Sequence, residues 1–265
     1  MTILFFGDIV GKIGRKALAA VLPDYQKKYK PDLIIGNVEN LAHGKGVTFK
    51  TLDELLDMGF DCFTSGNHIW KKKEVYEIMK DDKYPLLRPA NYPEGTPGIG
   101  VLVLTVGARQ ILILNLQGRT FMLDEVADPF RTFDKLLAKH QSKKYAAIIV
   151  DFHAEATSDK VAFGWYANGR ASAVIGTHTH IPTADARVLD QGTAYITDVG
   201  MVAARDSVLG VDKHVIIKKF LTQLPAEHTL PETGEVFVNA VVITIDSKTG
   251  KASDIKFLPK YTDVN

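Results

Sequence analysis

Residues 173 to 182, Ala173-Val174-Ile175-Gly176-Thr177-His178-Thr179-His180-Ile181-Pro182, lead from an apolar run through two imidazoles to a proline. The apolar run reads as a buried strand, and Pro182 forbids its continuation in a paired sheet. If the backbone stays extended, His178 and His180 point the same way about 6.6 Å apart, so one object meets both only by lying between them. A metal ion is such an object. A polar loop is the plainer reading of an isolated His-x-His, so the rest of the chain has to choose between the two.

Similar apolar runs, bounded by Gly, Asn or Asp, recur at residues 2 to 6, 32 to 37, 60 to 64, 99 to 106, 111 to 116, 146 to 152, 172 to 176, 194 to 198 and 236 to 245. They read as strands. Helix-like segments at 15 to 29, 49 to 58 and 71 to 80 separate the early ones, which implies right-handed βαβ crossovers and a parallel sheet over the first third. Residues 99 to 116, around Gly107-Ala108-Arg109, and Val188 to Ile196, around Asp190-Gln191-Gly192-Thr193, read as antiparallel hairpins. The expected class is α/β with mixed sheets. No Pro/Gly/Ser linker, repeat or low-complexity segment divides residues 1–265, so one domain is expected. Residues 201 to 235, with a helix-like Lys213 to Leu224 and a loop Pro225 to Gly234, read as a small cap near the site.

The chain has 265 residues, 46% of them hydrophobic, and a formal net charge of +1. That is enough for a substantial core, and it leaves no basic footprint for bulk nucleic-acid or membrane-surface binding. The start, Met1 to Gly7, carries no basic leader, and its apolar stretch is too short for a signal peptide or a span, so a cytoplasmic protein is expected. The single cysteine, Cys62, lies in the apolar run Phe60-Asp61-Cys62-Phe63 and reads as a buried thiol. An even-numbered homo-oligomer would be an ordinary assembly for such a chain.

Five strand ends concentrate the polar chemistry: Gly7-Asp8; Asn37-Val38-Glu39-Asn40; Ser65-Gly66-Asn67-His68; Asp151-Phe152-His153; and Gly176 to His180. In open α/β sheets ligands sit beyond the carboxyl ends of the strands, so these residues are expected to converge. Singly, each has a plain structural role: Asp8 as a helix cap, Glu39 and Asn40 as turn residues, Asn67 in a left-handed turn, His68 and His153 as satisfied core histidines. Together at five strand ends they are poorly explained that way. Carboxylate, amide oxygen and imidazole suit borderline transition metals, and the absence of cysteine ligands argues against a structural zinc knot. Asp8, Glu39, Asn67, His153, His178 and His180 are six ligands, too many for one open catalytic ion. Two ions about 3.5–4 Å apart and bridged by a carboxylate would use them.

This order of motifs resembles the calcineurin-like metallophosphoesterase superfamily, whose pattern runs DxH, GD, GNH, a lone His and GHxH. The match spans residues 7 to 180, with Val10 in place of the DxH histidine and Glu39 in place of the bridging aspartate. Those departures, with the opening Gly7-Asp8-Ile9-Val10-Gly11, resemble the bacterial subfamily of 2′,3′-cyclic-nucleotide 2′-phosphodiesterases. The resemblance implies two mixed β-sheets packed as a sandwich with flanking helices, and two transition-metal ions, iron before manganese. Asp8, Glu39 and His180 would hold one; Glu39, Asn67, His153 and His178 would hold the other; Asn40 would lie near the phosphate. His68 would be the general acid for the departing ribose oxygen, and a metal-bound hydroxide would attack in line.

Other readings compete. The Gly7 to Gly14 loop is spaced G-x-x-x-G-x-x-G and does not match the dinucleotide fingerprint, and no Walker A motif occurs. An amidohydrolase barrel places its His-x-His on the first strand, not after at least six. A phosphomonoesterase or nuclease of the same fold, and a non-catalytic metal-bound regulatory scaffold, remain the alternatives. Arg119 and the loop Met201 to Asp206 are candidates for substrate contact.

Overall fold

Apolar runs that alternate with glycine and asparagine become strands here because each has a face to bury on both sides of a sheet. The computed structural model describes residues 1–265. In chain order the first elements are β1 (Thr2–Phe6), β2 (Asp8–Ile9), α1 (Gly11–Tyr29), β3 (Leu33–Asn37), α2 (Phe49–Asp57), β4 (Cys62–Thr64) and α3 (Val75–Ile78). Then come β5 (Val101–Val106), β6 (Arg109–Gln117), α4 (Pro129–His140), β7 (Ala147–His153), α5 (Thr157–Ala167), β8 (Ala173–Thr177), β9 (Arg187–Val188) and β10 (Ala194–Ile196). The last part holds β11 (Met201–Ala204), β12 (Ser207–Val208), β13 (Val211–Asp212), α6 (Lys213–Thr222), β14 (Gly234–Val238), β15 (Ala240–Asp246), β16 (Lys251–Phe257) and β17 (Lys260–Val264).

Two mixed sheets form the expected sandwich. One runs β16-β15-β1-β3-β4 and the other β5-β6-β7-β8-β10-β9. In the first, β1, β3 and β4 are parallel, while β15 lies antiparallel to β1. In the second, β6, β7, β8 and β10 are parallel, and the hairpins read from the sequence supply the antiparallel edges β5 and β9. Between the sheets lies a cluster that includes Ile3, Phe5, Ile35, Ile113, Ile149, Ile175 and Ile243. The outer face of the first sheet packs on α1 and α2 through Leu18, Leu22, Leu52 and Leu55, and that of the second packs on α4 and α5 through Phe133 and Phe163.

A four-stranded sheet, β17-β14-β11-β2, and the small β12-β13 hairpin go beyond the two expected sheets. The third sheet exists because two strands break. The run 236 to 245, read as one strand, leaves one sheet for another at Asn239, whose carbonyl accepts from Gly7 N–H at 3.2 Å and whose Nδ2 donates to the Met201 carbonyl at 2.7 Å. The first strand breaks beside it at Gly7, where a Cβ would lie 1.9 Å from the Gly200 carbonyl oxygen. Residues 71 to 80 do not form the expected helix. A single 3₁₀ turn spans Ile69–Lys71, Lys72 is extended at φ −118° and ψ 131°, and only Val75–Ile78 is α-helical. The additional helix α4 does carry a sequence signal: Asp128 accepts from the N–H groups of Phe130 and Arg131, and Pro129 follows it as the first helical residue. No helix is long and apolar enough to cross a membrane.

The carboxyl ends of β1, β3, β4, β7 and β8 meet at one end of the sandwich, and the closest backbone approach there is Gly176. A Cβ at Gly176 would lie 1.7 Å from the Thr197 carbonyl oxygen. Gly176→Ala is therefore expected to push β8 from the chain that follows β10 and to cost about 1–3 kcal/mol, as overpacking does. A lowered Tm with native circular dichroism is the expected result; an unchanged Tm would mean the neighbouring chain yields freely.

Candidate metal centre

Five strand ends deliver the site. Asp8 opens β2, Glu39 and Asn40 follow β3, Asn67 and His68 follow β4, His153 ends β7, and His178 and His180 follow β8. Asp8, Glu39 and His153 are fully buried and Asn40 nearly so. All eight residues come together, as the strand-end pattern requires.

His178 and His180 do so by a route the extended-strand reading did not contain. Strand β8 ends at Thr177, and both histidines occupy the left-handed region, at φ 101° and φ 66°. A non-glycine residue held there costs about 1–3 kcal/mol and needs support from its surroundings. Thr179 between them supplies it, donating from its N–H at 3.1 Å and its hydroxyl at 2.7 Å to Asp198 Oδ2. Asp198 in turn takes the buried Lys160 ammonium at 2.5 Å and the Gly200 N–H at 2.7 Å. The turn aims the two imidazoles apart. His178 Nδ1 lies 3.0 Å from His153 Nε2, whereas His180 Nε2 lies 3.2 Å from the Asn40 amide and 3.8 Å from Asp8 Oδ1.

Three acceptors surround His153 Nε2: His178 Nδ1 at 3.0 Å, Asn67 Oδ1 at 3.2 Å and Glu39 Oε1 at 3.3 Å. The hydrogen bonds on the far side of each ring define which nitrogen faces inward. Thr177 donates its hydroxyl proton to Asp151 Oδ1 at 2.7 Å, so its oxygen accepts from His153 Nδ1–H at 2.9 Å and leaves Nε2 inward. Asn37 completes this layer, donating to Asp151 Oδ2 at 3.0 Å. His178 Nε2–H meets Glu155 Oε2 at 3.1 Å, which leaves Nδ1 inward. His180 Nδ1–H donates to the Leu209 carbonyl at 3.0 Å, which leaves Nε2 inward. Such outer partners fix ring orientation in metal sites.

Charge follows the same arrangement. Burial pushes the Asp8 carboxyl up, with His180 and His153 offsetting it in part. Burial acts on Glu39 in the same sense, but His153 and His68 outweigh it and hold that carboxyl well below its usual range. His153 shows the converse: burial disfavours its charge, yet Glu39, Asp8 and Asp151 lift the imidazole to about 9. Burial and the charge on His153 then hold His178 down, to about 3. No lysine or arginine pairs with Asp8 or Glu39; their ion-pair partners are His180 for the first and His68 and His153 for the second. A single proton on His153 Nε2 serves only one of three converging acceptors, whereas a cation serves the whole set. Glu39, His153 and His178 present ligand atoms within 4.8 Å of one another, and the donor set fits a transition-metal ion.

The centre lies at the floor of a cleft of about 990 Å³, lined by Glu39, Asn40, His68, His178 and His180 among others. Asn40 Oδ1 accepts from His68 Nδ1–H at 3.0 Å, and Glu39 Oε2 accepts the His68 backbone N–H at 2.8 Å. Burial lowers the His68 pKa, and Glu39 opposes the shift. Gly66 precedes this turn because His153 fills the space where a Cβ would be: Cδ2 would lie 2.1 Å away. Arg119 does not line the cleft and pairs with Asp128 at 3.1 Å. Residues 201 to 204 form the buried strand β11, and the cleft wall begins further on, at Val208, Leu209 and Val211.

The family model described as YmdB-like protein matches residues 4–258. The chain belongs to this family. The 2′,3′-cyclic-nucleotide 2′-phosphodiesterase of Bacillus subtilis (strain 168) is 50% identical over 256 residues, covering 97% of this chain and 96% of that one. Two crystal structures in the same size range match over the whole fold. A hypothetical protein of Thermus thermophilus is 40% identical with a TM-score of 0.90, covering 99% of each chain, and a phosphatase of Mycoplasma pneumoniae is 34% identical with a TM-score of 0.92, covering 99% of this chain and 94% of that one. A 5′-nucleotidase precursor of Thermus thermophilus, 14% identical with a TM-score of 0.59 over 99% of this chain and 54% of that one, shares the fold. The YmdB-like chain thus shares its fold with a 5′-nucleotidase about twice its length.

Asp198, Lys160, Thr177, Asp151 and Glu155 escaped sequence reading. Asp151 and Thr177 stand inside quoted motifs, but nothing in a motif tells an outer partner from a ligand. Lys160→Ala leaves Asp198 an uncompensated buried carboxylate, and a stability loss of about 3–5 kcal/mol is expected in urea denaturation. A loss below about 1 kcal/mol would place this pair with solvent-screened surface bridges.

Proposed function

We propose that this chain is a metal-dependent phosphoric diester hydrolase that opens small 2′,3′-cyclic nucleotides at a binuclear centre of two transition-metal ions, iron or manganese. The convergence of Asn67, Glu39 and His178 acceptors about His153 Nε2, at the floor of a cleft that His68 also lines, carries this reading. The 50% identity to a 2′,3′-cyclic-nucleotide 2′-phosphodiesterase supports the choice of substrate. Asp8, Glu39 and His180 would hold one ion, and Glu39, Asn67, His153 and His178 the other. Glu39 suits the bridging role because its Oε1 lies 3.3 Å from both the Asn40 amide and His153 Nε2, between the two groups. When bound, the ions supply polarisation of the phosphoryl oxygens and a water of lowered pKa.

The chain's own residues do the rest. Asn40 holds His68 through Nδ1 and leaves Nε2 for the cleft, so a protonated His68 donates Nε2–H to the ribose oxygen as its bond to phosphorus breaks. Asn40 lines the cleft beside it and is the phosphate-side contact in this reading. Residues 201–235 act as the cap, since Leu209 orients His180 and the segment supplies one wall of the cleft.

His68→Ala is expected to retain about two ions per chain and lose about 10²–10⁴-fold in turnover of 2′,3′-cyclic AMP. Bis(p-nitrophenyl) phosphate, whose leaving group departs without a proton, should lose far less. Equal losses on both substrates at full metal content would overturn the acid role. Thr177→Val removes the hydroxyl between Asp151 and His153, and chelator competition is expected to show metal affinity about 10–100-fold weaker. Unchanged affinity would mean that packing alone aims the His153 ring.

A further inference from the structure

The cleft is larger than its metal floor requires. At about 990 Å³ it lies at the upper end of the range for small-ligand sites. Away from the floor it is lined by Lys45, Lys71, Lys72 and Lys219, and none of these has a carboxylate within 4.0 Å. The whole chain carries a net charge of only +1, so four unpaired lysines at one cleft are a local concentration of charge. Lys45 stands near enough to act on both His68 and His228: after burial, its charge is the next cause of the lowered His228 pKa, and Lys219 adds to it.

The backbone of the same wall has donors to spare. His43 and Gly44 are consecutive left-handed residues, at φ 56° and φ 86°, and neither N–H has an acceptor within the chain. Both N–H groups are left to donate to an anionic oxygen, which makes the stronger, charge-assisted kind of hydrogen bond. The loop is braced from behind, since Lys72 Cγ would lie 2.9 Å from a Cβ at Gly46. The facing wall is apolar, with Leu209, Ile216 and Phe220, the last 71% exposed. Lysines, free backbone donors and an exposed aromatic ring in one cleft, with Lys219 beside Phe220 on α6, suit a phosphate ester and a base.

We propose that the outer half of the cleft is a subsite for a second phosphate ester on the 5′ side of the cyclic nucleotide, built from Lys45, Lys219 and the His43-Gly44 backbone. This rests on the 2′,3′-cyclic nucleotide reading above and narrows its substrate class to 2′,3′-cyclic ends that carry a 5′ phosphate. Such ends are the product of RNA transesterification: a 2′-hydroxyl attacks its own 3′-phosphodiester, the 5′-oxygen of the next nucleotide leaves with the proton, and the upstream fragment keeps its 5′ phosphates. A reaction of that class would supply the substrate.

Three substrates decide it on the metal-loaded wild type: 2′,3′-cyclic AMP, its 5′-phosphorylated form, and a dinucleotide ending in a 2′,3′-cyclic phosphate. The 5′ phosphate is expected to raise kcat/KM by about 10–100-fold, as one or two charge-assisted hydrogen bonds would. The advantage should shrink as salt rises. A gain shared by the dinucleotide assigns the subsite to an RNA end, and a gain confined to the mononucleotide assigns it to a terminal phosphate. Lys45→Ala combined with Lys219→Ala should abolish the advantage, read as the ratio of kcat/KM with and without the 5′ phosphate, so that the change in 2′,3′-cyclic AMP turnover cancels. Equal kcat/KM for all three substrates, or equal losses on all three in the variant, would overturn the subsite. If none is turned over, the cyclic nucleotide reading fails, and calorimetric Kd values for the same compounds still decide the subsite by the same ratio.

Discussion

Two carboxylates, Asp8 and Glu39, are buried completely at the end of the sandwich without a lysine or arginine beside either. Taking an ion out of water costs several kcal/mol even after the protein relaxes, and it must be offset by opposite charge and hydrogen bonds at close range. The fold answers this with imidazoles delivered from three strand ends and with one amide, Asn40, that donates toward both carboxylates at 3.3 and 3.5 Å. Partial compensation is the outcome. Asp8 is still pushed up, while Glu39 is held down by a His153 that has become strongly basic. A centre so arranged is complementary to added positive charge.

Behind the converging side chains stands a second layer whose task is aim. Asp151 and Thr177 fix the tautomer and tilt of His153, Glu155 does so for His178, and the Leu209 carbonyl does so for His180. The costliest piece is the turn at residues 178 to 180, where two histidines hold left-handed backbone. Its anchor is the Asp198–Lys160 pair, itself buried, so strain at the centre is balanced by an interaction outside it. Removing water from that pair strengthens it and makes loss of either partner expensive.

The cleft combines contributions from distant parts of the chain. The loop after β3 brings His43, Gly44 and Lys45, and the stretch after β4 brings His68, Lys71 and Lys72. The β12-β13 hairpin and α6 close the other side with apolar residues. The loop after β3 and the stretch after β4 thus supply both the buried centre and lysines of the cleft, and α6 carries Lys219 beside Phe220.

Much of this was legible in the sequence. Apolar runs punctuated by glycine marked the strands of both main sheets, because a strand buried on both faces has to be apolar throughout. The rule that α/β sheets bind ligands at their carboxyl ends then gathered Asp8, Glu39, Asn40, Asn67, His68, His153, His178 and His180 into one place. What the sequence left undetermined was set by contacts between residues far apart in the chain. The corner at Gly7 and Asn239, which splits the run 236 to 245 between two sheets, depends on the Gly200 and Met201 carbonyls from a distant part of the chain, and no apolar pattern marks a strand that changes partner. The left-handed turn that separates His178 from His180 depends on Asp198 and Lys160 in the same way. Local composition decides which segments are strands and which side chains could ligate; the direction of the imidazoles of His153, His178 and His180 is decided by the long-range hydrogen bond on the far side of each ring, which exists only once the chain is folded.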